Sequence, residues 1–161
     1  MAACVLALAA PAAAEKGEHL LALRGEYART VDVHGGGLGV AYAYGFTDLW
    51  NLYADFTWSR HLAGTALALD RMGGTVGVQI HLDAFQWVPY FVLGLGGEAA
   101  VTPGPTGSVT TGAFVGQALL GVDYRPIRKL GVGAFVSWTQ RFVGDVPSHL
   151  AAGVRLVTYF Q

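Results

Sequence analysis

The chain has 161 residues, a net charge of -1, 13% charged residues and a hydrophobic fraction of 53%. That length suits one domain, and the charged share is about half that of a soluble domain. The balance of charge excludes a nucleic-acid-binding surface. After the first turn of the chain there is no apolar run of about 18 residues or more, which excludes a helical membrane span.

Met1–Ala14 (MAACVLALAAPAAA) reads as a secretory signal peptide, with an apolar core at Val5–Ala10 and Ala12-Ala13-Ala14 as the cleavage site before Glu15. The positively charged start is missing, which fits a start codon placed too late. Cys4 precedes the apolar core, whereas a lipoprotein cysteine follows it. The domain from Glu15 to Gln161 holds no cysteine, so disulfide and thiolate chemistry are closed to it.

From there the hydrophobic pattern has a period of two, the mark of strands with one set of side chains on each face. Strand one spans His19–Thr30, with Leu21, Leu23, Gly25 and Tyr27 opposed to Ala22, Arg24, Glu26 and Ala28. Val31–Gly36 is a loop. Gly37–Phe46 and Trp50–Arg60 form a hairpin around Thr47-Asp48-Leu49, with the bulky set alternating with glycine, alanine and small polar groups. His61–Arg71 is a longer link, and Met72–Leu82 is strand four. Asp83–Gln86 is a turn, and Trp87–Glu98 is strand five, where Pro89 requires a strand end or a bulge. Ala99–Thr110, rich in Pro, Gly, Ser and Thr, reads as a loop. Strands six, seven and eight are Thr111–Tyr124, Lys129–Gln140 and His149–Phe160, separated by the turn Arg125–Arg128 and the loop Arg141–Ser148.

Large apolar side chains on one face and small or polar ones on the other suit a barrel wall with lipid outside. The fold expected is therefore all-β, an eight-stranded antiparallel up-and-down transmembrane barrel. Links after strands two, four and six are short and the others longer, so both termini belong at the short-turn rim. Aromatics fall in two bands, as membrane interfaces favour. Tyr44, Phe46, Trp50, Phe85, Trp87, Tyr124, Tyr159 and Phe160 flank the short turns, and Trp58, Phe114, Trp138 and Phe142 lie toward the long loops.

The run Val88-Pro89-Tyr90-Phe91-Val92-Leu93-Gly94-Leu95-Gly96, the strand end Gly121-Val122-Asp123-Tyr124-Arg125 and a last strand closing on Phe160 resemble the small outer-membrane β-barrel families, OmpA-like and OmpW-like in the broad sense. The resemblance covers the whole mature chain and is one of architecture, without a catalytic motif. It implies a bacterial outer-membrane location with periplasmic termini, and lipid and lipopolysaccharide as surroundings. It also implies recognition of the C-terminal strand by the barrel assembly machinery, although here Gln161 follows the final aromatic.

The inward face carries Arg24, Glu26, Asp55, Gln79, His81, Glu98, Gln117, Asp123 and Arg155. Charges in so narrow a lumen must pair. Arg24, Arg155, Asp55 and Glu26 or Asp123 are expected to form one network, with His81 on the same face. For catalysis the nearest approach to a nucleophile set is Ser59, His61 and Asp55, more simply read as a polar strand end. The five histidines are not spaced to share a metal locally. No catalytic residue, metal or cofactor is therefore assigned. The role expected is a monomeric structural or adhesive barrel acting through its long loops. The alternatives are a narrow porin-like conduit for solutes or ions and, last, a lipid-A-modifying enzyme.

Overall fold

A computed structural model describes residues 16–30, 33–63, 66–82, 86–104, 107–143 and 148–161. The expected leader Met1–Ala14 lies outside them, as does Phe85. The strands are β1 (His19–Arg29), β2 (His34–Gly45), β3 (Trp50–Ala63), β4 (Ala66–His81), β5 (Trp87–Gly104), β6 (Gly107–Ile127), β7 (Leu130–Arg141) and β8 (His149–Phe160). Each pairs antiparallel with its chain neighbour, and β1 pairs with β8 from His19↔Phe160 to Arg29↔Leu150, so the sheet closes on itself.

Four boundaries differ from expectation. Gly35 and Gly36 belong to β2, paired with Ala28 and Tyr27 on one side and with His61 and Arg60 on the other, and a side chain at Gly35 would come within 1.9 Å of the Arg60 carbonyl oxygen. There glycine serves close strand packing instead of a turn. The expected link His61–Arg71 is nearly all strand, with a register shift between His61 and Leu62. Its alternation holds, since Arg60 and Asp70 form an outward pair (2.8 and 3.0 Å) while His61 and Leu69 turn inward and are buried. The expected loop Ala99–Thr110 is also mostly strand, since the β-branched Val101, Thr102, Val109, Thr110 and Thr111 favour extended backbone despite the glycines and prolines among them. Finally, β6 runs on through Arg125-Pro126 to Ile127 across a register irregularity, the place where a strand tolerates proline. Pro89 sits beyond the last β4–β5 pair, His81↔Tyr90, and so needs no N–H on that side.

The outward face is apolar throughout the wall, from Leu21, Leu23 and Leu38 round to Val136, Val154 and Leu156. Tyr44, Trp50, Trp58, Trp87, Trp138 and Phe160 are exposed on it, and Tyr124 is half-buried against Trp87 with ring centres 4.9 Å apart. Tyr159 is the exception among the described banded aromatics, because its odd position turns it into the lumen, where it is buried. At the closing seam His19 stacks on Phe160 (5.3 Å) and lies 2.6 Å from the Tyr42 hydroxyl.

The interior is bulkier than the small-and-polar reading allowed. Leu20, Tyr53, Tyr90, Val92, Leu119, Phe135, Val157 and Tyr159 form an apolar core within the barrel. An eight-stranded wall leaves width for side chains only, and these rings take it.

Exposure means different things on the wall and beyond it. Val76 (67% exposed, mid-β4) and Val109 (61%, on the ribbon beyond the wall) are equally bare. Val76→Arg should lower unfolding stability by about 2–4 kcal/mol and Val109→Arg by at most about 1 kcal/mol. Urea titration of the refolded protein in lipid vesicles measures both, and equal losses would misplace the lipid boundary.

Candidate functional site: the lumen and its rim

Inward side chains gather in three tiers. Nearest the short turns, Arg155 makes a two-pronged ion pair with Asp123 (2.8 and 2.5 Å). Tyr159 donates to the same carboxylate at 3.0 Å, and the guanidinium lies 3.5 Å from the centre of the Tyr90 ring. Space for the carboxylate comes from Gly133, where a Cβ would stand 2.0 Å from Asp123 Oδ1. Below it Arg125 stacks on Tyr159 (3.7 Å) and donates to Glu18 (3.1 Å) and to the Arg128 carbonyl (2.8 Å).

In the middle tier Arg24 donates to Asp55 (2.7 Å), Tyr53 (2.8 Å) and Glu26 (3.3 Å). Asp55 also accepts from the Tyr53 hydroxyl (3.1 Å) and from the Thr75 amide and hydroxyl (3.0 and 2.7 Å). A polar cavity of about 30 Å³ opens above, bounded by Glu26, Asp55, Glu98, Gln117, Thr139 and His149. It is large enough for a water or two.

The third tier lies toward the other rim. Arg141 donates to Glu98 at 2.6 Å, and Arg71 Nε lies 3.8 Å from the same oxygen. Arg71 also contacts His149 Nδ1 at 2.5 Å and Thr30 at 3.4 Å. An arginine only donates, so that imidazole nitrogen accepts and the ring is uncharged. Its 4.0 Å approach to Glu98 is therefore not an ion pair.

The expected residues thus divide. Arg24, Glu26 and Asp55 join one another, Arg155 joins Asp123, and no described hydrogen bond links the two sets. Arg24 and Arg155 are direct cross-strand partners, yet each is held over a different ring, Phe135 at 4.7 Å and Tyr90 at 3.5 Å. His81 stands apart from the ion pairs, 2.8 Å from Gln79 Nε2 and 3.2 Å from Asn51 Nδ2. Ser59 and His61 meet at 2.9 Å, both buried, but Asp55 is occupied two inward steps or more away and does not reach them. The third tier was missed because Arg71 and Arg141 fell in segments read as links. Extending the two-residue alternation from Thr75 in β4 and Thr139 in β7 would have found them.

At the same rim the wall is uneven. The β4–β5 pairing ends at Asp70↔Val101, and β6–β7 pairing begins only at Val115↔Arg141. Between them β5 and β6 continue paired with each other to Gly104↔Gly107. Among the described residues a two-stranded ribbon therefore stands clear of the barrel, and residues 107–112 are all exposed.

This is the fold of the small transmembrane β-barrels of bacterial outer membranes. Neither a protein-family model nor a curated protein matches the chain. Among solved structures it is similar to the crystal structure of Ail, the attachment invasion locus protein of Yersinia pestis (TM-score 0.64, 14% identity, 90% of this chain and 99% of that one). Neisserial surface protein A, NspA, is similar at TM-score 0.69 and 12% identity over 89% of this chain and 96% of that one. So is the backbone structure of Ail in a phospholipid bilayer nanodisc, at TM-score 0.56 and 18% identity over 89% and 99%. Identities this low speak to the fold alone.

The two lower tiers share no described hydrogen-bond partner, yet Arg24 and Arg155 are cross-strand neighbours. Asp55→Ala and Asp123→Ala each leave a buried arginine short of a carboxylate and should each cost about 3–5 kcal/mol. The double variant should lose more than the sum, because both guanidiniums then face each other across the seam without those carboxylates. Urea unfolding in lipid reads all three, and a strictly additive double variant would mean that the two tiers do not sense each other.

Proposed function

We propose that this is a monomeric integral outer-membrane protein whose work is done outside the membrane, by surface interaction, with the lumen serving as a side-chain-filled strut. The ribbon of β5 and β6 carries this reading. It projects past the wall, its residues 107–112 are exposed, and among its described residues from Thr102 to Gly104 and Gly107 to Ala113 there is no charge. Ail, a structural neighbour, is the attachment invasion locus protein of its organism, which supports the same reading. In this reading the ribbon rim faces out of the cell, and both termini, at the rim where His19 pairs with Phe160, face the periplasm.

Lipid covers the apolar wall, and Ail's structure in a bilayer nanodisc supports that environment for the fold. Lipopolysaccharide meets the outer rim, where Arg29 and Arg60 are exposed. The assembly machinery takes hold of β8, ending Tyr159-Phe160-Gln161. A conduit is disfavoured by Tyr90, Phe135 and Tyr159 packed across the lumen, and a hydrolase by the burial of Ser59 and His61. No cofactor is called for.

Protease added to intact cells should cut at the ribbon tip between Gly104 and Gly107 and spare the turns at 83–86 and 128–129. Cuts at those turns alone would invert the orientation. Shortening the ribbon should abolish binding of protein-bearing cells to their target surface while the barrel still folds. Planar bilayers holding the refolded protein should show no discrete conductance steps, and regular steps would favour the conduit.

A further inference from the structure

The ribbon's two edges are not alike. On the β5 side the free stretch is short, Thr102 to Gly104, and Pro103 has no N–H to offer. On the β6 side the stretch unpaired among the described residues runs from Gly107 to Ala113, with neither proline nor charge in it. Proteins ordinarily guard such an edge with lysine, proline or a bulge, because unpaired backbone groups template another strand.

The direction of those groups follows from one hydrogen bond. The Phe142 amide donates to the Phe114 carbonyl at 3.1 Å, so Phe114 turns its backbone groups toward β7. Along a strand the N–H and C=O of alternate residues point to opposite neighbours. Gly112, Thr110 and Ser108 therefore aim theirs at the open side, while Ala113, Thr111 and Val109 aim theirs at β5. Among the described residues none pairs with that open side above Phe114.

The open stretch is Gly107-Ser108-Val109-Thr110-Thr111-Gly112-Ala113. Placed antiparallel against itself about a two-fold axis at Thr110, it sets Thr110 opposite Thr110, Ser108 opposite Gly112 and Val109 opposite Thr111. All three edge-pointing residues then face edge-pointing partners, so each pair exchanges both hydrogen bonds. The side chains are small, threonine pairs well with threonine across strands, and no like charges meet. The edge is complementary to its own copy.

Resting on the surface-interaction reading above, we propose that the partner of the β6 edge is a second copy of this chain, bound by antiparallel strand pairing at residues 107–113. The symmetry dictates where that copy sits. β6 is one strand from Gly107 at the ribbon to Ile127 at the far rim, so it descends into the membrane. Rotation about the membrane normal leaves the descent of a strand unchanged and cannot make two copies antiparallel. Rotation about an axis in the membrane plane reverses it. The two copies therefore belong to facing membranes, and the contact joins cell to cell. One such edge is small, and many act together where two surfaces meet.

The test uses the full chain refolded in phosphatidylcholine–phosphatidylglycerol vesicles, with clustering followed by light scattering. Wild-type vesicles should cluster as protein density rises, and a soluble peptide of residues 107–113 should disperse them. Thr110→Pro removes an edge N–H while leaving the β5 ladder intact, and should reduce scattering to that of protein-free vesicles. Thr110→Val keeps the backbone and should cluster like wild type, and Gly112→Pro repeats the test should Thr110→Pro fail to fold. Absence of wild-type clustering, or clustering that survives both proline variants and the peptide, overturns the proposal. If cell binding is still lost on shortening the ribbon, the adhesive reading stands with a different partner. If ribbon shortening changes nothing either, both fall.

Discussion

Everything in this molecule depends on the seam between β1 and β8. In hydrocarbon an unpaired backbone N–H or C=O costs several kcal/mol, and a sheet with two ends would carry two rows of them. Pairing from His19↔Phe160 to Arg29↔Leu150 removes both rows at once. The seam also carries Arg24 opposite Arg155, so closure itself brings two guanidiniums side by side in a space with little water. The aromatic rings beneath them and the carboxylates beyond them answer that juxtaposition. Arg24 leans on Phe135 and Asp55, and Arg155 on Tyr90 and Asp123.

Inside, the ion pairing is uneven in stoichiometry. Arg155 has Asp123 nearly to itself, whereas Arg24 has both Asp55 and Glu26. Arg71 and Arg141 converge on the single carboxylate of Glu98. The middle tier thus leans negative and the upper tier positive, with the small polar cavity between them. The tiers offset one another at a distance, as buried charges must when each cannot have its own partner.

Strand order, faces and the closed topology were legible in the sequence because a two-residue period leaves little freedom once one face is lipid. The outer rim was less so. Thr102, Pro103, Gly104, Ser108 and Gly112 have the composition of a loop, and composition says nothing of whether β5 and β6 keep pairing. Arg71 and Arg141 were lost with those segments, and with them the upper tier. Tyr159 was counted in the short-turn aromatic band beside Phe160, although the alternation sets it on the face of Arg155 and Val157, where it is buried. The division of the ion pairs into separate sets turns on which ring each arginine stacks against, and no sequence pattern encodes that choice.

The ribbon has no hinge at its root. β5 and β6 pass from barrel to ribbon without a break in their mutual pairing, from Trp87↔Tyr124 to Gly104↔Gly107. A pull on the tip therefore runs down two continuous strands into the wall. There it is resisted by the β4–β5 and β6–β7 ladders loaded lengthwise, so that many hydrogen bonds must slip together instead of parting one after another. The projection is thus mechanically continuous with the wall, a property that the surface interaction proposed for it would draw on.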